Sequence, residues 1–423
     1  MDDAQFSAVS EPPMPWLTIL GIGEDGLAGL GTEAKLRLKA AALVFGGTRH
    51  LALAAPMITG AAQPWLSPFS RSIEAVLAAR GRPTVVLASG DPFLYGVGAT
   101  LSRHLDARAM RTIPAPSAFS LAAARLGWPL QETICLSLHG RPLDLLRPHL
   151  HPGARILALT SDEKGPTALA GLLVDLGFGG STVTVLEAMG GDAERLTRHR
   201  ADAFALKDIA ALNLCAVEVV ADAGARVLPF TPGLADSLFE HDGQITKQAV
   251  RALTLSALAP RYGELLWDVG AGSGSIAIEW MLADPSLSAI AIEADAARAE
   301  RIGRNAIAFG VPGLKLVPGQ APSALEGLEP PHAIFIGGGG SEPGVMPTAL
   351  AALRPGGRLV ANAVTIEMER LLLDHHARLG GSLTRIALSS ASPIGGMTGW
   401  RPAMPITQWV WTKPDDQTAA IRV

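Results

Sequence analysis

Short, nearly unbroken apolar runs alternate with amphipathic stretches along most of this chain. That rhythm predicts buried parallel strands joined by helices, an α/β protein. In the front half the runs fall at residues 16–23, 43–46, 84–89, 155–160 and 182–187. In the back half they fall at 265–268, 288–293, 314–318, 332–336 and 358–363, closely enough linked to predict a doubly wound, mostly parallel sheet. A helix is expected from about Thr32, capped by Thr32 with Lys35, Arg37 and Lys39 exposed. Another spans 298–309, with Arg298, Arg301 and Arg304 on its polar side. Between the two patterned regions, 222–239 holds Pro229, Pro232 and several glycines. The expected division is therefore a first domain at 16–222, a linker at 223–238 and a second domain at 239–423. Residues 1–15, acidic and polar with three prolines, are expected to be disordered.

The back half carries the sharpest chemical signal. Its first strand runs to Asp268, and Gly270, Gly272 and Gly274 follow before a helix. Glycines there let the backbone approach a ligand with no Cβ in the way, and the helix start offers free N–H donors. A dinucleotide loop would place its third glycine at 275, where this chain has Ser275. The spacing D-x-G-x-G-x-G instead resembles the S-adenosylmethionine loop of Rossmann-like (class I) methyltransferases. That resemblance implies cofactor contacts from Asp268, Gly270, Ala271, Gly272, Ser273 and Gly274. A plain glycine turn in an ordinary α/β unit is the alternative. Glu293, ending the next strand, is suited to a ribose diol, and Gln320 and Ala321 lie in a loop suited to the adenine edge.

The front half has its own series: Gly21-Ile-Gly23, then Ser89-Gly-Asp-Pro-Phe-Leu-Tyr-Gly96, then Pro114-Ala-Pro-Ser-Ala118. In this order the turns resemble the tetrapyrrole methylases of corrin and sirohaem synthesis. The resemblance implies a two-lobed class III fold and a second S-adenosylmethionine site formed by Gly23, Ser89, Gly90, Asp91, Leu94, Ser117 and Ala118. Glu24-Asp25 stands where many of those relatives have proline, a departure shared with the CbiE branch. Residues 239–251 resemble the opening of the CbiT methyltransferases, which implies that Thr246 touches the back cofactor. Together, over about 16 to 411, the halves resemble the fused methyltransferase–decarboxylases of cobalamin synthesis. Implied are two S-adenosylmethionine sites, methylation of C5 and C15 of a precorrin-6 macrocycle, and loss of the C12 acetate carboxyl. The back half is expected to serve C15 and the decarboxylation, the front half C5. Whether the ring arrives metal-free or loaded with cobalt stays open, as does a non-tetrapyrrole small molecule.

Composition narrows the rest. With 48% hydrophobic and 17% charged residues this is a folded chain, and a net charge of −4 without a basic run gives no nucleic-acid signature. No apolar run approaches the roughly 18 residues of a membrane span, so cytoplasm is the default expectation. The likeness of both halves to oligomeric relatives implies a homo-oligomer. Cys135 and Cys215 are expected as buried thiols, and no protein-bound metal is indicated. Methyl transfer from a sulfonium is an in-line displacement in which positioning does most of the work, so no strong base is demanded. Candidates for proton handling are Glu342, with Ser341 beside it, where helix capping is the alternative, and the substrate-facing pair His241 and Asp242, where a buried turn built on His-Asp-Gly is the alternative. For the carboxylate-rich ring, the candidates are the Gly337, Gly338, Gly339 and Gly340 loop, Arg401, Arg141, His139, Arg49 and Arg385. The 395–401 loop is expected to act as a lid. A nicotinamide-dependent reductase and a tetrapyrrole carrier are the rival readings.

Overall fold

The computed structural model describes residues 15–415. The expectation of a disordered start therefore lies, except for residue 15, outside the described residues. The chain divides into two compact units: one runs to Leu143 and resumes from His151 to Arg226, and the other takes Asp144–Leu150 and the chain from Val227 onward.

The first unit opens with β1 (Leu17–Ile22), β2 (Leu43–Gly46), β3 (Ala61–Pro64), β4 (Thr84–Ser89) and β5 (Met110–Ile113). They form one parallel sheet in the order β3-β2-β4-β1-β5, with Ile22 paired to Ser89 at the carboxyl ends. Every residue of β1 is buried, as expected for a central strand covered on both faces. Ile19, Phe45 and Val86 pack on one side, and Leu20, Val44 and Leu87 on the other. The helix Thr32–Ala40 starts one residue earlier than expected: Gly31 is its cap and Thr32 its first residue, with no side-chain capping bond. Lys39 is exposed as expected, but Lys35 and Arg37 are half-buried.

The second lobe comprises β6 (Ile134–Ser137), β7 (Arg155–Leu159), β8 (Thr182–Glu187), β9 (Arg195–Arg200) and β10 (Asn213–Glu218), ordered β6-β7-β10-β8-β9. Only β6 and β7 are parallel; the other pairs are antiparallel. Strand β9 (RLTRHR) escapes an apolar-run search because it is an edge strand whose residues are mostly exposed. The cysteines differ as their strands do. Cys215, in central β10, is fully buried, whereas Cys135, in edge strand β6, is only half-buried.

The second unit is built on β11 (Leu265–Val269), β12 (Ser288–Glu293), β13 (Lys315–Pro318), β14 (Ala333–Ile336) and β15 (Arg358–Ala363), followed by β16 (Ser382–Ile386), β17 (Ser389–Ile394), β18 (Met397–Pro402) and β19 (Ile406–Thr412). Its seven-stranded sheet runs β13-β12-β11-β14-β15-β19-β16, parallel as far as β15 and antiparallel beyond. Trp267, Ile334 and Trp409 belong to the core on one face, and Leu266, Trp280 and Phe335 to the core on the other. Strands β17 and β18 pair only with each other. The 395–401 segment, expected as a loose lid, is thus the turn and second strand of a hairpin, with Gly395 and Gly396 at its tip.

Candidate functional site

At the carboxyl ends of β11, β12, β13 and β14 the second unit holds a cavity of about 600 Å3. This is where an open parallel sheet offers loop backbone and helix starts to a ligand. Gly270, Ala271 and Gly272 form one wall, Glu293 and Ala294 the next, then Gly319, Gln320 and Ala321, and then Gly337, Gly338 and Gly339. Gly270 has φ +70°, and a Cβ there would lie 2.5 Å from the Gly338 carbonyl oxygen. The two glycine loops can therefore meet only if this position is bare. Glu293 accepts from the Gly272 N–H at 2.7 Å and the Asp295 N–H at 3.0 Å, which locks its carboxylate on the cavity edge. A cradle of bare backbone beside a fixed acidic group fits the nucleoside half of S-adenosylmethionine. On the far side the lining turns apolar, with Val364, Ile386, Leu388, Met404 and Ile406. Leu388, Ala403 and Met404 lie at the root of the β17–β18 hairpin.

A strap at 239–247 closes another side of the cavity, and buried polar groups hold it. Arg251 is fully buried and donates to Glu279 at 2.5 Å, to Asp236 at 3.1 Å, and to the Thr246 and Leu234 carbonyls. Glu279 also accepts from the Gly233 and Leu234 N–H groups at 2.6 and 3.0 Å. The guanidinium stacks over Phe239, 4.9 Å from its ring centre. Asn305 donates to the carbonyls of Glu240 and Ser273 at 3.0 and 2.9 Å and so ties the strap to the glycine loop. With the strap fixed, Gln244, Ile245, Thr246 and Lys247 face the cavity.

The residues expected at the back site sort by depth. Gly270, Ala271, Gly272, Glu293, Thr246, Gln320, Ala321, Gly337, Gly338, Gly339 and Glu342 all line the cavity. Asp268, Ser273, Gly274 and Gly340 do not. Asp268 is 1% exposed and accepts from the Ala277 N–H at 3.1 Å, beneath the loop. Burial pushes its carboxyl up to about 7, against the Ala277 bond and helped by the Glu293 charge. Gly274 caps the helix Ser275–Ala283, and Gly340 packs on Met368. His241 and Asp242 form a turn away from the cavity. Asp242 pairs with Arg298 at 2.9 Å and Arg301 at 3.2 Å, and the Arg298 bond, then the Gln244 N–H, hold its carboxyl far below the usual range. Arg385 is engaged by Glu369 and Thr407, each at 2.6 Å, and Arg401 is exposed on β18, off the cavity wall. Lys247, Asn362 and the apolar wall were not picked out from the sequence. Lys247 sits at a helix start, inside the 239–251 segment from which only its neighbour Thr246 was singled out for the cofactor, and the apolar residues are brought in by late strands.

The first unit has a smaller cavity, about 70 Å3, where β1 and β4 end. Gly23, Ser89, Gly90 and Ala118 line it, as do Glu24, Arg49 and Asn213. Gly90 has φ +57°, and a Cβ there would lie 2.8 Å from the Pro116 carbonyl oxygen, so the 89–91 and 114–117 turns interlock through it. Asp91, Leu94 and Ser117 are off this wall. Asp91 accepts from the Phe93 N–H at 2.8 Å, and Ser117 caps the helix Ala118–Leu126 by accepting from the Ser120 N–H at 3.1 Å. Leu94 is exposed. Arg49 pairs with Glu24 and donates to Ser89 Oγ at 3.3 Å; its other partner is His50 Nε2, at 2.9 Å. Burial, then the Arg49 charge, lowers His50 to about 4. His139 is exposed, 3.4 Å from the Thr160 carbonyl, and Arg141 lies over the Tyr95 ring at 5.5 Å.

Among the described residues no group of three or more His, Cys, Asp or Glu is placed to hold a metal. No helix there is long and apolar enough to cross a membrane.

Comparison with known proteins agrees with this two-part layout. A family model described as tetrapyrrole (corrin/porphyrin) methylases matches residues 17–205, and one described as precorrin methyltransferase domain matches 237–413. A Sinorhizobium protein named precorrin-6Y C(5,15)-methyltransferase [decarboxylating] is 66% identical over 96% of this chain and 98% of its own. One of the same name from Mycobacterium tuberculosis is 42% identical over 94% of this chain and 100% of its own. A Salmonella typhimurium protein named cobalt-precorrin-6B C(15)-methyltransferase (decarboxylating) is 36% identical over 179 residues, 41% of this chain and 92% of its own.

Proposed function

Because this chain belongs to the decarboxylating precorrin-6Y C(5,15)-methyltransferases, we propose that its two units divide one task. The second unit methylates C15 and removes the C12 acetate carboxyl, and the first methylates C5, each with its own S-adenosylmethionine. The observation that carries this reading is that each unit has its own glycine-lined cavity at the carboxyl ends of its parallel strands. The Salmonella protein supports the split: it matches a span about as long as one half and is named for C15 and decarboxylation alone.

Bound S-adenosylmethionine supplies an electrophilic methyl group, and the chain's residues bind and aim it. In the second unit Glu293 holds the ribose hydroxyls while the Gly270–Gly272 backbone lies along the remainder. The Gly337–Gly339 loop admits a flat ring next to the donor because no side chain intervenes. Val364, Leu388 and Met404 cover the ring face and exclude water, which favours a step in which positive charge is neutralised. Lys247, at the cavity wall with no carboxylate partner among the described residues, takes one of the ring's carboxylates. In the first unit Arg49 has the same task, exchanging Glu24 for a carboxylate of the ring.

Full-length variants with one cavity blocked test the division. Gly90→Val is expected to give a product with one methyl gained and carbon dioxide lost, read by mass spectrometry. Gly270→Val is expected to leave the carboxyl in place. The reverse pattern overturns the proposal.

A further inference from the structure

Removing an acetate carboxyl leaves a carbon that must gain a proton, and a group is needed to deliver it. The 600 Å3 cavity has few candidates: its ionisable lining residues are Lys247, Glu293, Arg298 and Glu342. Glu293 is fixed by the Gly272 and Asp295 N–H groups, and Arg298 is paired with Asp242 at 2.9 Å. Lys247 is placed to hold charge. Glu342 is different: among the described residues nothing donates to its carboxylate. Its position is nonetheless fixed through the backbone, with its N–H on the Gly339 carbonyl at 3.1 Å and its own carbonyl accepting from Val345 at 3.2 Å. The same loop touches both cofactor walls. Gly338 abuts Gly270, and a Cβ at Gly344 would lie 3.2 Å from Pro322, next to Gln320 and Ala321.

We infer that Glu342 is the catalytic acid that protonates the carbon left by decarboxylation, a role that rests on the back unit being the decarboxylating one. As the carbon–carboxyl bond breaks, carbon dioxide leaves and the electron pair spreads into the conjugated ring, with the exocyclic carbon as one terminus. The Glu342 O–H breaks as the new C–H forms, giving the methyl group and a carboxylate. Glu342 is exposed at the cavity mouth, so water reprotonates it between turnovers. Nothing else is oxidised, reduced or consumed.

The test uses the full chain and precorrin substrate. Glu342→Gln is expected to lower formation of the product bearing the C12 methyl, read by mass spectrometry, roughly 100-fold or more, the usual scale for losing a general acid. S-Adenosylhomocysteine affinity, read by calorimetry, and C5 methylation should stay at wild-type level. Glu342→Asp is expected to recover part of the rate, and Glu342→Ala to be rescued by added formate, which a merely structural role does not allow. Wild-type formation of the C12 methyl in Glu342→Gln, or loss of S-adenosylhomocysteine binding, overturns the assignment. If Gly270→Val still releases carbon dioxide, the failure lies in the underlying division of labour and the assignment falls with it.

Discussion

The two cavities share a design, glycine turns at the ends of parallel strands, yet place their charges differently. In the second unit the charged pair, Arg251 and Glu279, lies behind the wall and leaves about 600 Å3 of space. In the first unit the pair, Glu24 and Arg49, is itself the wall, and about 70 Å3 remains. A charge behind the wall fixes a shape, whereas a charge in the wall must exchange its partner when a ligand arrives. The back cavity is thus shaped by charges outside it, whereas the front cavity is narrowed by a charge pair in its own lining.

The largest effect that would sharpen this contrast is expected from Arg251→Ala. Removing it strands Glu279 in the core, a change that costs about 3–5 kcal/mol for buried pairs. Denaturant melts should show the second unit unfolding early, with the first unchanged. Gly270→Ala comes next. A side chain at φ +70° with its Cβ 2.5 Å from a carbonyl oxygen costs about 1–3 kcal/mol. Calorimetry should find back-site S-adenosylhomocysteine binding weakened about 10- to 100-fold, with front-site binding intact. Equal weakening at both sites would break the comparison.

Two buried groups, one in each unit, should answer pH in opposite senses. His50 titrates near 6.5 when unfolded and at about 4 when folded, because burial and Arg49 disfavour its charge. Its contribution is intact above 6.5 and is lost as pH falls towards 4. Asp268 runs the other way: 3.8 unfolded and about 7 folded, raised by burial. Its contribution is intact below 3.8 and is lost as pH rises towards 7. Over these windows the His50 contribution should rise with pH and the Asp268 contribution fall, each by about 3–4 kcal/mol. His50→Gln should flatten the first curve and Asp268→Asn the second, as read from melting temperature against pH. The smallest effect is expected from Lys247→Ala. An exposed ion pair contributes up to about 1 kcal/mol, so KM for the macrocycle should rise no more than about fivefold at unchanged kcat.

Much of the back site was legible because its chemistry is written in the backbone. Gly270, Gly272, Glu293 and the 337–339 loop act through position, and position at a strand end follows from local pattern. Asp268 shows where that reasoning stops. The motif marks it, but only the packing of the helix Ser275–Ala283 over it shows that its carboxyl is buried beneath the loop. Asp242 is similar: the sequence offers it as a candidate for chemistry, while Arg298 and Arg301, far along the chain, bind it into a turn.

What the chain determined alone is the parallel strands that carry the glycine turns, the turns themselves and the change of pattern between the two halves, since apolar periodicity and bare turns are local properties. The exposed edge strand β9, the late strands β16–β19 and the placing of Asp144–Leu150 with the second unit were not legible. The tertiary structure decided which charges are buried, which are paired and which face a ligand. Those outcomes depend on partners distant in sequence, such as Arg251 with Glu279 or Glu24 with Arg49. No local pattern encodes the low-dielectric surroundings that give such pairs their effect.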